Sequence, residues 1–252
     1  MILPGLVSVT FRRLQVQEII TLVLEAGLKG IEWGGDIHVP HGDLRRAKEV
    51  AQCTLDAGLS VVAYGSYYRF DEQELPFAKV LETAIALKAP LIRVWAGKKG
   101  SADTSEAEWE RIVERSRIIA DQAAEVGIKL AYEYHGGTLT DTNESALKLL
   151  TAVNHQNVYS LWQSLCHHSQ ETRLEGLQQI KPWLANLHVY YWQQGTRLPL
   201  AQGISLWQEY LRQLTDLRTI HYGLLEFVVN DQPEQLLQDA KQFIQLLAAI
   251  NR

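Results

Sequence analysis

The sequence predicts a parallel (β/α)8 barrel, and three observations predict it. Eight short β-rich runs alternate with longer amphipathic runs along the 252 residues. The β-rich runs are almost continuously apolar, as strands are when helices cover both faces of a sheet. Eight such units fill about 250 residues, the usual size of this barrel. No Pro/Gly/Ser linker or low-complexity tract interrupts the chain, so 1–252 reads as one domain. An open doubly wound sheet is the competing architecture, but the GxGxxG of its first turn is missing.

Taken in order, the predicted strands are 5–11, 30–33, 59–65, 90–97, 128–135, 157–163, 185–192 and 222–228. Between them, "VQEIITLVLEAG", "LRRAKEVAQCTLDAG", "EWERIVERSRIIADQAAEVG" and "PEQLLQDAKQFIQLLAAI" carry apolar residues at the i, i+3, i+4, i+7 spacing of an amphipathic helix. Gly27, Gly58 and Gly127 each stand between a helical run and a strand, where a left-handed residue closes a helix. Thr142 or Asn143 is the expected N-cap of the helix after the fifth strand. Cys53 falls on a helical apolar face and is expected in the core. The longest irregular stretches, 34–43, 65–76, 97–106 and 193–203, all follow the carboxyl end of a predicted strand. In a barrel that end carries the active site.

Composition narrows the function. A formal net charge of −5 and a sequence pI near 5.9 provide no basic stripe for phosphates, so no nucleic-acid partner is expected. Two cysteines without a CxxC point to a reducing compartment. "MILPGLVSVTFRR" does not resemble a signal peptide, and no apolar run approaches the roughly 20 residues of a membrane span. A cytoplasmic protein with no membrane association is the expectation.

Four strand ends supply Glu133, Gln163, His188 and Glu226 from successive βα units. Two carboxylates, an imidazole and an amide oxygen suit a divalent ion, Mn2+ first, with Mg2+ or Co2+ as alternatives. Glutamates inside "LAYEYH" and "GLLEFV" are flanked by apolar residues, and burying an unpaired carboxylate costs roughly several kcal/mol unless a metal or cation meets it. His38, Tyr64, Trp95 and His135 follow strands two to five, and Trp192 and Arg197 follow strand seven. Aromatic faces with His, Arg and Glu32 as hydrogen-bonding partners read as a carbohydrate pocket. Arg93 and Arg197 are the cations that could meet a substrate phosphate.

The chain resembles the xylose isomerase-like barrels, through "GIEWGGDIHVPHGD", "VVAYGSYYR", "IRVWAGKKGS", "AYEYHGGTLTDT", "LHVYYW" and "LLEFV". That family includes ketose 3-epimerases, other sugar isomerases and endonuclease IV. The resemblance implies a metal held by Glu, Asp, His and Glu at the last four strand ends. Glu133, His188 and Glu226 match three of these places. Gln163 stands on the Asp and Cys166 on a following His, so the ligand set carries about one unit less negative charge. A structural role for Gln163 is the competing reading. The resemblance implies a metal-dependent sugar isomerase or epimerase, with Glu133 and Glu226 moving protons through a cis-enediolate, and a homo-oligomer. A keto-glycoside lyase or hydratase, or a carbohydrate-binding barrel without catalysis, are the alternatives. The extra His and Asp ligands of endonuclease IV are not visible.

Overall fold

The computed structural model describes residues 1–250. Its strands, in chain order, are β1 (Ile2–Val7), β2 (Gly30–Gly34), β3 (Ser60–Tyr68), β4 (Leu91–Val94), β5 (Lys129–Glu133), β6 (Val158–Gln163), β7 (Leu184–Val189), β8 (Trp192–Gln193), β9 (Thr196–Arg197) and β10 (His221–Leu225). Eight of them, β1–β7 and β10, form a closed barrel in which every neighbouring pair is parallel; β8 and β9 form a separate antiparallel hairpin. The sheet closes where β1 pairs with β10, Ile2 opposite His221 and Leu6 opposite Leu225.

Helices α1 (Val16–Glu25), α2 (Leu44–Asp56), α3 (Phe77–Ala86), α4 (Glu106–Glu125), α5 (Asn143–Val153), α6 (Gln170–Ile180), α7 (Ile204–Arg212) and α8 (Pro233–Ile250) follow the barrel strands. Short hydroxyl caps start several of them: Ser105 before α4, Thr142 before α5 and Ser169 before α6 each accept a hydrogen bond from the third backbone N–H beyond. Gly27, Gly58 and Gly127 have φ of 71°, 73° and 71°, the left-handed geometry expected of helix-to-strand joints. Among the described residues no helix is long and apolar enough to cross a membrane.

Strand alternation sorts the side chains. Ala63, Leu91, Ala131 and Leu161 form an apolar cluster of their own, while Ile31, Trp33, Tyr64, Ile92, Tyr132 and Trp162 join the larger core shared with the helices. Two residues further along, in phase with the first set, stand Arg93, Glu133 and Gln163. The period of two thus aims the polar residues inward at the carboxyl ends of the strands, while the large aromatics at the alternate positions face the helices.

Three expectations needed correction. Ser8–Phe11 is a 3-10 turn, not the end of a strand; the Ser8 hydroxyl accepts from Gly34 N at 2.9 Å and Thr10 Oγ1 from Phe227 N at 3.1 Å, so these residues tie loops together. The seventh run stops at Val189, and Trp192 lies in the hairpin turned by Gln194 and Gly195, with φ of 47° and 78°. Cys53 is exposed because α2 buries Val50, Ala51 and Thr54 instead.

Candidate active site

The inward residues at the strand ends meet in one buried group. Arg93 lies at its centre: Nε donates to Glu32 Oε1 at 2.6 Å and Nη1 to Glu133 Oε2. The arginine and Glu32 are each no more than 1% exposed. A side chain at position 65 would destroy this pair, since a Cβ there would lie 2.5 Å from Arg93 Nη2 and 3.0 Å from Glu32 Oε1. Gly65, opposite Arg93 in the β3–β4 register, is therefore the space the ion pair occupies.

His188 adds the second link. Its Nε2 lies 3.3 Å from Glu32 Oε2, and its Nδ1 lies 3.4 Å from both Glu133 Oε1 and Glu226 Oε2. No hydrogen bond satisfies that Nδ1, although it is fully buried. Ligand atoms of Glu133, His188 and Glu226 all fall within 4.8 Å of one another. With a neutral imidazole, three carboxylates against one guanidinium leave two negative charges without a partner, which suits a divalent cation. The unsatisfied nitrogen and the oxygen–nitrogen donor set fit such an ion.

A proton competes with a cation for that imidazole nitrogen. Burial alone would lower the His188 pKa, but Glu226, Glu32 and Glu133 outweigh it and raise it well above the ordinary histidine value. Burial would likewise raise the Glu133 carboxyl, yet Arg93 and His188 hold it far below the usual carboxylate range. Glu32 is lowered too, with Arg93 and His188 overcoming desolvation.

Gln163 reaches Glu133 through its nitrogen. Nε2 donates to Tyr134 O at 2.8 Å and to Glu133 Oε1 at 3.2 Å, and the carbonyl partner fixes which end of the amide is which. No donor among the described residues reaches Oε1.

The substrate side is divided. Trp95 donates its indole N–H to Glu133 Oε2 and stacks on His135 at 4.2 Å between ring centroids, so both stand at the mouth of the site. The His135 Nδ1 meets Gly136 O at 2.6 Å. Tyr64 and His38 do not join this group. Tyr64 occupies the alternate strand phase; its hydroxyl donates to Val39 O at 2.9 Å and lies 2.7 Å from His41 Nδ1. His38 is buried against Ser8 Oγ at 3.0 Å and the Trp33 ring. Arg197 sits at the rim, paired with Asp231 at 2.5 Å and lying over Phe227, beside a cavity of about 570 Å3 that also touches Thr10 and Arg12.

Two residues matter more than the sequence indicated. Glu32, expected to bind a substrate hydroxyl, is held by Arg93 and His188; Arg93, considered for a phosphate, is held by two glutamates. Their signal was the strand alternation itself, which puts Arg93 between apolar Ile92 and Val94 and in phase with Leu91. Tyr67 was also missed. It has φ of 54° at the register shift of β3, and its ring lies under the Arg93 guanidinium at 4.5 Å. Phe227, directly after Glu226, has the same φ of 54°; such backbone costs of order 1–3 kcal/mol and gathers at functional mouths.

The fold is a closed parallel barrel with a buried carboxylate–imidazole cluster, one that could hold a metal ion, at the carboxyl ends of its strands. The chain belongs to the xylose isomerase-like TIM barrel family, whose model matches residues 20–247. It is 27% identical over 273 residues to a 3-dehydroshikimate dehydratase of Bacillus anthracis, covering 94% of this chain and 95% of the relative. An inosose dehydratase of Clostridium perfringens is 27% identical over 191 residues, or 69% of this chain and 62% of that one. Among solved structures, a probable 3-DHS dehydratase from Bacillus anthracis superposes with a TM-score of 0.79 at 25% identity, covering 97% of this chain and 99% of its own. A D-psicose 3-epimerase from Clostridium cellulolyticum H10, at 14% identity, full coverage of both chains and a TM-score of 0.71, shares the fold.

Proposed function

We propose that the chain is a divalent-metal-dependent dehydratase acting on a ring ketone that carries neighbouring hydroxyls. The observation that carries this reading is the buried group of Glu133, His188 and Glu226 around an imidazole nitrogen that lacks a hydrogen bond. The relatives supply the reaction type: both are dehydratases, and 3-dehydroshikimate and inosose are both six-membered ring ketones with hydroxyls.

Glu133, His188 and Glu226 would hold the ion, Mn2+ being the first choice, with Gln163 as a fourth ligand through the Oε1 its own hydrogen bonds leave free. When bound, the ion would polarise the ketone oxygen and stabilise the charge that develops as the neighbouring carbon loses a proton. Of the two glutamates expected to share the proton work, Glu133 is clamped by Arg93 and Trp95, which suits it to hold charge. Glu226 has no such clamp. It takes the carbon-bound proton and returns it to the departing β-hydroxyl, so that one C–H and one C–O bond break, a C=C bond forms and water leaves. Trp95 and His135 form the wall along which the ring lies.

Epimerisation shares the first half of this sequence. It is favoured by the convergence of two carboxylates from different strands on one point, and it ends with the proton returned to carbon. Incubation of the Mn2+-loaded protein with 3-dehydroshikimate and inosose in D2O separates the outcomes by NMR. Loss of water is expected; deuterium incorporation with the hydroxyl retained would replace the dehydratase by an epimerase, and neither change would sink both. Glu226→Gln is expected to lower kcat by about 10²–10⁴-fold.

A further inference from the structure

The charged side chains of the loop after β3 pair off with one exception. Lys98 binds Asp71 at 2.9 Å and also meets Glu74, while Arg115 meets Glu72. Arg111 donates to the Phe70 carbonyl at 2.8 Å. At the mouth, Arg12 holds Asp36, Arg197 holds Asp231, and Arg93 holds Glu32 and Glu133. Arg69 has no ion pair and no hydrogen bond among the described residues. It is half-buried, and its guanidinium lies 3.9 Å from the centroid of the Trp95 ring.

That ring is the one that donates to Glu133 and stacks on His135. Stacking restrains the guanidinium without using its in-plane N–H groups, and a guanidinium is only weakly hydrated, so its donors are held ready beside the reacting centre. The acids of its own loop are engaged elsewhere, so its donors are open to a group from outside the chain. A planar fork of donors matches the two oxygens of a single carboxylate.

We infer that Arg69 is a specificity residue that binds a carboxylate on the substrate, making the substrate an anionic hydroxy-ketone and not a neutral sugar. The reaction class rests on the dehydratase reading, whereas the anion site rests on Arg69 and Trp95.

The test titrates the Mn2+-loaded protein by calorimetry with 3,4-dihydroxybenzoate, a flat ring with adjacent oxygens and one carboxylate, and with the neutral 3,4-dihydroxybenzamide. The wild type is expected to prefer the carboxylate at least about ten-fold. Arg69→Met should lose about 10–100-fold in benzoate affinity and leave benzamide binding unchanged, and Arg69→Lys should recover part of the loss. No binding of the benzoate, equal binding of the two probes by the wild type, or an undiminished preference in Arg69→Met overturns the inference. In turnover, Arg69→Met should raise KM for 3-dehydroshikimate more than KM for the neutral inosose, with kcat for 3-dehydroshikimate within about threefold. Should neither compound be dehydrated while the benzoate preference persists, the dehydratase reading falls and the anion site stands.

Discussion

Glu32 Oε2 lies 3.3 Å from His188 Nε2, and this contact turns the other ring nitrogen toward Glu133 and Glu226. A carboxylate that accepts from one imidazole nitrogen fixes the tautomer and leaves the opposite nitrogen bare for a metal. Glu32→Ala is therefore expected to weaken Mn2+ binding about 10–100-fold, measured by calorimetry on the folded variant. Unchanged affinity would show that Glu32 does not orient His188 for the ion.

Gln163 is the neutral member of the set. Gln163→Asp places an additional negative charge beside the ion and should tighten Mn2+ binding, at some cost in stability because the donor to Tyr134 O is lost. An affinity equal to wild type would leave Gln163 as a structural partner of Glu133 and the Tyr134 carbonyl.

Removing the guanidinium strands two buried carboxylates. Arg93→Met should destabilise the protein by about 3–5 kcal/mol in chemical denaturation. Gly65→Ala should do so as well, because its Cβ would lie 2.5 Å from Arg93 Nη2 and 3.0 Å from Glu32 Oε1 and force the pair apart. A Gly65→Ala protein as stable as wild type would contradict the packing described above.

The pH dependence follows from the direction of each shift. His188 is raised in the folded state, so the stability it contributes is complete below its unfolded value near 6.5 and is lost as pH rises through the folded value. Glu32 and Glu133 are lowered, so their contribution is present above about 4.5 and lost as pH falls. A metal competes with the His188 proton, so the gain in Tm on adding Mn2+ should grow between about pH 6 and 8.5. A gain that stays flat across this window would argue against His188 as a ligand.

The sequence by itself determined the barrel, because eight apolar runs separated by amphipathic helices and left-handed glycine joints leave few other ways to bury the strands. It also determined which strand ends carry Glu133, His188 and Glu226, since a carboxylate inside an apolar run needs a reason. Whether Tyr64 could meet a substrate was a question of strand phase, and one residue of phase sent it toward the helices while Glu32 and Arg93 turned inward. Which partner Glu32 and Arg93 take, where Gln163 points its nitrogen and that Arg69 is left on Trp95 without an acid were decided only by the tertiary structure. Those pairings join β2, β4, β5 and β7, residues 61 and 156 positions apart in the case of Arg93 and His188 with Glu32. Strand periodicity specifies a direction for each side chain, but a hydrogen bond also needs a distance, and closure of the barrel sets that.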